Sequence, residues 1–133
     1  MRIPLTQLPN IPDLVRDYFN HFDEVAQFFD GDFHDLNEIC KKATHVRKRD
    51  LPLDRVAPIL LKQNEDFGCE QQTTDNIRAL EQNQACAIVT GQQVGLFGGP
   101  LYTIFKSLTT LKLCEELNQH CTGRFVPVFW LAS

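Results

Sequence analysis

The sequence lacks the features of a secreted or membrane-spanning protein. Its longest apolar stretch, residues 125–132, is far shorter than the roughly 20 residues that a membrane-spanning helix requires. Near the amino terminus, Pro4 and several polar side chains stand where a signal peptide would carry an apolar run. We therefore predict a cytoplasmic protein with no membrane partner.

An excess of positive charge is also missing. The formal net charge is -4 and the pI is about 5.5. Proteins that bind nucleic acid usually have a clearly basic surface, so we predict no nucleic-acid partner, and any anion must be bound locally. The composition, 43% hydrophobic and 23% charged, is that of an ordinary folded domain.

The cysteines do not form a recognisable metal or redox motif. There are five, Cys40, Cys69, Cys86, Cys114 and Cys121, and no two stand in a C-x-x-C pair. His120 adjoins Cys121, with Cys114 upstream, but this group lacks the second ligand pair that a zinc site needs. We predict no metal site and five reduced thiols.

Residues 1–84 are predicted to form a helical amino-terminal region. An Asn10 cap should open a first helix, which continues to Phe29, and Thr73 or Thr74 should cap a later one. Between them, helices are expected over 36–46 and 53–67. One face of the first helix is apolar and strongly aromatic, a pattern typical of a core or a partner helix; its residues are Val15, Tyr18, Phe22, Val25 and Phe29.

Residues 85–133 change pattern and predict the start of a Rossmann-like domain. An apolar run at 85–89 is typical of a strand buried on both faces, and residues 125–131 form a second run. Between them a helix should start at Pro100, its first position, with Gly99 as its cap. Seven residues should pack its face on the sheet: Leu101, Ile104, Phe105, Leu108, Leu111, Cys114 and Leu117. The fold class is therefore α/β, with a parallel βαβ unit that is truncated after its second strand.

The glycine-rich connection at 90–100 is the candidate binding site. Ligands of such folds lie beyond the carboxyl ends of the strands, where amides at a helix start attract anions. The candidate residues are Thr90, Gly91, Gln92, Gln93, Gly98, Gly99, Pro100 and Lys106. Neither G-x-G-x-x-G nor a P-loop is present, so the alternative is that these glycines only form a tight turn.

Three groups of residues form a specific combination: Thr90-Gly91-Gln92-Gln93, then Gly98-Gly99-Pro100 with Tyr102 and Lys106, then Pro127-Val128-Phe129-Trp130 followed by Ala132-Ser133. This combination closely resembles the amino-terminal region of the BshC family, the cysteine ligases of bacillithiol biosynthesis. The resemblance implies a Rossmann-like core with inserted helices and a long coiled coil. It also adds Tyr102, Trp130 and Ser133 to the candidate binding residues.

The activity that the resemblance implies is the joining of L-cysteine to glucosaminyl-malate. Family members are several times longer, so the chain is expected to be an amino-terminal fragment that is inactive alone, with catalytic residues beyond Ser133. Amide ligation requires an activated carboxylate, for which ATP or another nucleotide is the candidate cofactor. A homodimer through a coiled coil outside this chain is also implied.

Two alternatives from other classes stay open. One is a different nucleotide-dependent transferase that shares only the Rossmann-like turn. The other is a noncatalytic remnant or interaction module built on the aromatic helix at 11–29.

Overall fold

The computed structural model describes residues 9–132, which fall into two compact units that meet between Ile39 and Cys40. The predicted division at 84/85 is a different one and stays a prediction. None of the described helices, the longest of which has 20 residues, is long and apolar enough to cross a membrane.

The first unit contains a short helical pair that surrounds an aromatic cluster. Helix α1 spans Asp13–Asn20, α2 spans Phe22–Val25, and a 3-10 turn covers Ala26–Phe28. The single helix predicted up to Phe29 is therefore wrong, because the backbone breaks at His21 (φ -137°, ψ 53°). The N-cap residue of α1 is Pro12, so the predicted cap at Asn10 is wrong. The break lets Phe29 and Phe33 close on the Tyr18 ring, with centroid separations of 4.5 and 4.8 Å.

Three helices precede the sheet. Helix α3 spans Leu36–Val46, as predicted, and the Asp35 carboxylate accepts a 2.8 Å hydrogen bond from the Asn37 amide. Helix α4 spans Leu53–Asp66 and is followed by Gly68 at φ +72°. Helix α5 spans Gln71–Glu81 and begins after Glu70, so the predicted cap at Thr73 or Thr74 is wrong. A 2.9 Å hydrogen bond from Gln71 to Asp75 supports its earlier first turn.

A parallel βαβ unit forms the rest of the chain and confirms the predicted α/β class. Strand β1 spans Ala85–Gln93, α6 spans Leu101–His120 and β2 spans Arg124–Ala132. The register runs from Ala85 opposite Arg124 to Gln93 opposite Ala132. The core lies near the amino ends of the strands, where Ala79, Ala85 and Val126 pack together.

The sheet is less buried than its apolar sequence indicates. Only the first two residues of β1, Ala85 and Cys86, are buried, and Val89 is 62% exposed. The predicted burial of this strand on both faces is therefore wrong. In the described residues, α6 contacts both strands, while α5 contacts β1 near its start.

Helix α6 turns a different face to the sheet from the one its apolar spacing predicts. Of the seven residues expected on that face, only Cys114 and Leu117 are buried. The other five, Leu101, Ile104, Phe105, Leu108 and Leu111, are 47–65% exposed. The small hydroxyl side chains of Ser107 and Thr110 face the strands instead. Thr103 precedes them on the same side of the helix. The helix is apolar nearly all round, so hydrophobic spacing could not select its buried face.

Two of the five cysteines form a disulfide, so the prediction of five reduced thiols is wrong. Cys40 in α3 is bonded to Cys121, which follows the last residue of α6, and their Cα atoms are 5.5 Å apart. Cys69, Cys86 and Cys114 are free thiols. The 81 residues between Cys40 and Cys121 hid this proximity from the sequence pattern.

Candidate functional site

The candidate site lies at the carboxyl end of β1, where the chain turns into α6. The structure extends β1 to Gln93, so Thr90, Gly91, Gln92 and Gln93 belong to the strand and not to the connection. We call residues 94–100 the glycine-rich turn. The site therefore consists of a strand end, this turn and the first two turns of α6.

Gly91 allows the two strands to approach closely. It lies opposite Trp130 in the sheet, and a Cβ atom added to it would lie 2.5 Å from the Trp130 carbonyl oxygen. Such a separation is well inside van der Waals contact, so this position requires glycine for packing.

The glycine-rich turn reverses direction through left-handed backbone conformations. Gly98 and Gly99 have φ values of +85° and +80°, which glycine adopts at little cost. Phe97 also has a positive φ, 54°, although it carries a full side chain, which is fully exposed. The turn folds back so tightly that a Cβ on Gly95 would lie 3.0 Å from the Gly99 Cα.

Several backbone amides at this turn have no internal acceptor. The turn's own hydrogen bonds include Val94 N to Ala132 O at 3.4 Å and Gly99 N to Leu96 O at 3.0 Å. Across the described chain, no backbone or side-chain acceptor receives the amides of Leu96, Phe97, Leu101 and Tyr102. Pro100 caps α6 without a side-chain hydrogen bond, and the first turn carries no acidic residue. The amides thus leave positive potential at the helix start.

A buried hydroxyl lies beneath the same turn. Thr103 Oγ1 is shielded from solvent and has no hydrogen-bond partner in the described part of the chain. It lies 3.5 Å from the position that a Cβ on Gly99 would occupy. A side chain at that glycine would therefore contact the hydroxyl and press on the first turn of α6.

Lys106 connects α6 to the end of β1. Its Nζ donates to the Gly91 carbonyl oxygen at 2.5 Å and to Gln92 Oε1 at 3.2 Å. The same atom lies 5.5 Å from the centre of the Tyr102 ring. The ammonium group therefore fixes the strand end and keeps one positive charge beside the glycine-rich turn.

The structure brings some of the predicted residues together and separates others. Lys106 contacts both Gln92 and Tyr102, and Gly98, Gly99 and Pro100 lie in the turn that leads to Tyr102. Because side chains alternate along a strand, Gln93 points away from the face on which Gln92 meets Lys106. Trp130, 64% exposed, adjoins Phe129 of the α6-facing row and points to the opposite face as well. Ser133 lies outside the described residues.

A cavity of about 240 Å³ lies between α6 and the two strands. Thr90 is the predicted site residue in its lining, with Ser107, Thr110, Leu111, Pro127, Val128 and Phe129. Sequence reasoning missed the hydroxyl row on α6, because it followed the larger apolar residues. The spacing of Thr103, Ser107 and Thr110 at helical intervals was the available signal.

Two of the three hydroxyl groups in this row, those of Ser107 and Thr110, form hydrogen bonds within the helix. Ser107 Oγ donates to the Thr103 carbonyl at 3.0 Å and Thr110 Oγ1 to the Lys106 carbonyl at 2.9 Å. Among residues 9–132, no group of three or more His, Cys, Asp or Glu side chains could hold a metal ion.

Comparison with known proteins identifies similar sequences over the whole chain. The family model for the N-terminal Rossmann-like domain of the bacillithiol biosynthesis protein BshC matches residues 1–133. A protein of Salinibacter ruber (strain DSM 13855 / M31), named "Putative cysteine ligase BshC", is 44% identical over 130 residues, which cover 98% of this chain and 24% of the relative. A protein of the same name from Desulforamulus reducens is 35% identical over 119 residues, 87% of this chain and 22% of the relative. The Koribacter versatilis relative is 34% identical over 131 residues, which cover 98% of this chain and 24% of the relative. The chain thus spans about a quarter of the length of these relatives.

Proposed function

Since the chain belongs to the BshC family of bacillithiol biosynthesis, as its Rossmann-like amino-terminal domain, we propose that it is part of a ligase that joins L-cysteine to glucosaminyl-malate. The reaction would form a carbon–nitrogen bond in the cytoplasm. The name of the relatives as cysteine ligases supports the reaction class. The residues that complete the active site would come from the remaining three quarters or so of a protein of that length.

The role proposed for this domain is to hold an anionic group at the glycine-rich turn. The observation that carries this role is the set of amides at Leu96, Phe97, Leu101 and Tyr102 that have no internal acceptor. They surround the start of a 20-residue helix, whose dipole favours negative charge. Lys106 adds a positive charge at the end of β1, which leads into this turn.

Two anions of this reaction have the required chemistry. One is a carboxylate of the malate portion, and the other is a phosphate of ATP or another nucleotide that activates a carboxylate. Amides that bind a carboxylate can also stabilise the charge that develops on its oxygens during attack by an amine. In this proposal Gln92 orients the ligand, while Lys106 reduces the local negative charge.

Substitution of the turn glycines tests the proposal in a full-length protein that contains this domain, such as a chimaera with the remaining part of the Salinibacter ruber relative. Gly98→Ala and Gly99→Ala would shift the turn, since both positions need a positive φ. We expect each to weaken binding of glucosaminyl-malate or ATP at least tenfold, about 1.4 kcal/mol, measured by titration calorimetry with each ligand separately.

Gly68→Ala is the matched control, because Gly68 also has a positive φ (+72°) and nothing lies within 4 Å of its Cβ position. That variant should bind both ligands normally. If the two turn variants fold and bind like the parent protein, the turn is not the anion site.

The reaction itself is tested separately. The same full-length protein is incubated with L-cysteine and glucosaminyl-malate, with and without ATP, and the thiol product is sought by mass spectrometry. Product formation supports the ligase. If no product forms with or without ATP, from a protein that binds both substrates, the result would favour the alternative transferase. A homodimer through a coiled coil outside this chain remains part of the proposal and is measured by sedimentation of that protein.

A further inference from the structure

The part of helix α3 from Cys40 onward is fastened to the rest of the second unit at a corner far from the glycine-rich turn. The corner consists of the end of α6, the connection 121–123 and the start of β2. Because β1 and β2 are parallel, this corner lies at the amino ends of the strands, whereas the candidate site lies at the carboxyl ends. The contacts there are therefore not used by the proposed anion site.

The corner itself is firmly held. The Asn118 side chain donates to the Phe125 carbonyl at 2.9 Å and accepts from the Phe125 amide at 2.7 Å. Arg124 donates to Asn76 Oδ1 of α5 at 2.7 Å. Buried Leu117, Phe125 and Val126 lie directly beneath. Cys121 therefore lies in a part of the unit that these contacts hold in place.

Helix α3, in contrast, buries a single residue, Ala43. Besides the disulfide, the polar contacts that join the end of α3 to the described part of the corner include Cys86 Sγ to Ala43 O at 3.4 Å, Arg47 to Thr122 O at 3.4 Å, and Asn83 Nδ2 to Arg47 O at 2.8 Å. Cys40, Ala43 and Arg47 follow one another at helical intervals, so all of these contacts lie on one face. The Cys40–Cys121 bond is a covalent connection on this face.

Cys40 and Cys121 are both partly exposed. From this accessibility and the weak packing of α3, we propose that the Cys40–Cys121 pair is a thiol-exchange site that accepts small monothiols and that its opening releases α3 from the corner. In the cytoplasmic setting proposed above, a disulfide of this kind is expected to be transient and redox-responsive.

The exchange proceeds in two balanced steps. The thiolate of a monothiol attacks one sulfur, a mixed disulfide forms, the protein S–S bond breaks, and the other cysteine leaves as a thiolate that takes a proton from water. A second monothiol then attacks the mixed disulfide and departs with the first as an oxidised dimer. Two monothiols are oxidised, and the protein disulfide is reduced by two electrons to two thiols.

Glutathione serves as the probe. The chain, purified without reductant and carrying Cys69→Ser to remove the one partly exposed free thiol, is equilibrated with graded ratios of reduced to oxidised glutathione. After acid quenching and alkylation, peptide mass spectrometry should show the Cys40–Cys121 link at low ratios, a glutathione adduct on one of these two residues at intermediate ratios, and two free thiols at high ratios. Buried Cys114 should carry no adduct.

Hydrogen exchange measures the release of α3. In the reduced protein, amides of residues 41–46 should exchange about tenfold faster, while those of α6 and β1 keep their protection. In the Cys40→Ser variant, the amides of residues 41–46 should exchange rapidly at every glutathione ratio. A link that persists at the most reducing ratio, free Cys40 and Cys121 before any reductant is added, or unchanged α3 protection after reduction would each overturn the proposal. None of these measurements depends on ligase activity.

Discussion

Gly91 is a residue whose position in a candidate binding motif conceals a packing role. Its place in the Thr-Gly-Gln-Gln run favours a ligand contact, yet the Trp130 backbone occupies the space a side chain would need. The neighbouring Lys106 binds its carbonyl oxygen. Both the pairing of the two strands and the geometry of the site therefore depend on the absence of a side chain at Gly91.

Gly91→Ala should therefore destabilise the fold. A Cβ placed 2.5 Å from the Trp130 carbonyl oxygen forces the strands apart, which we expect to cost about 2 to 3 kcal/mol of unfolding free energy. Urea denaturation of the two proteins measures the difference. Gly68→Ala, where only backbone conformation opposes the change, should cost about 1 kcal/mol. Equal losses at the two positions would contradict the close approach of the strands.

The free thiols should differ sharply in reactivity. Burial raises the pKa of the Cys86 and Cys114 thiols above the ordinary value of 9.0, although the nearby Arg47 guanidinium opposes the rise in the pKa of Cys86. Their reactive thiolate forms are therefore scarce, and their sulfurs are covered. With iodoacetamide at neutral pH, Cys69 should be alkylated first and the other two only in denaturant. Peptide mass spectrometry measures the labelling rate of each cysteine. Equal rates for the three would refute this order.

The same two thiols predict a loss of stability in alkali. Because the folded-state pKa is raised, the folded state favours the neutral thiol more than the unfolded chain does. The stabilisation is fully present below pH 9.0, the unfolded value, and is lost as the pH rises through the folded-state pKa. Urea midpoints between pH 8 and 10 should thus fall more steeply in the parent than in Cys86→Ala/Cys114→Ala. Parallel curves would contradict the raised values.

At the scale of elements, α6 shows what hydrophobic periodicity can and cannot select. Its bounds at Leu101 and His120 follow closely from the proline before it and the glycine after it. Its buried face does not, because apolar residues occur on nearly every side. Packing selected the face that carries Ser107, Thr110, Cys114 and Leu117.

Alanine substitutions distinguish the two faces of α6. Leu117 is completely buried, so Leu117→Ala should leave a cavity and lower the free energy of unfolding by about 3 kcal/mol. Leu108 is 55% exposed, so Leu108→Ala should cost less than about 1 kcal/mol in this chain. Thermal or urea unfolding of both variants decides the matter. Comparable losses would mean that the predicted apolar face packs on the sheet after all.

At the scale of the whole molecule, the outer face of α6 presents an apolar surface to solvent. Leu101, Ile104, Phe105 and Leu108 are each at least 55% exposed, and contiguous apolar surface of this kind favours association. We therefore expect the 133-residue chain to self-associate as its concentration rises, with sedimentation velocity showing masses above 15.3 kDa. Ile104→Lys/Leu108→Lys should restore the mass of one chain. A parent protein that stays at 15.3 kDa at every concentration would contradict this expectation.

The predicted elements agree best where local signals are strong. The α3 bounds, the end of α4 at a glycine, and the parallel pairing of two apolar runs all follow from caps, glycines and short-range pattern. The break at His21, the start of α5 and the length of β1 do not, because packing around Tyr18 and pairing with β2 override local preference. The grouping of Gln92 and Lys106 at one strand end was predictable, whereas the outward direction of Gln93 depends on register.

By itself the sequence determined the class of the chain. Its strand, glycine-rich turn, helix and strand follow from residue spacing, and its combination of motifs identifies the BshC family. Only the tertiary structure decided which face of α6 is buried, which amides at the turn lack an acceptor, and that Cys40 meets Cys121 across 81 residues. The physical reason is that local pattern reports the conformation of neighbouring residues, whereas burial, hydrogen-bond pairing and sulfur proximity arise from contacts between distant segments.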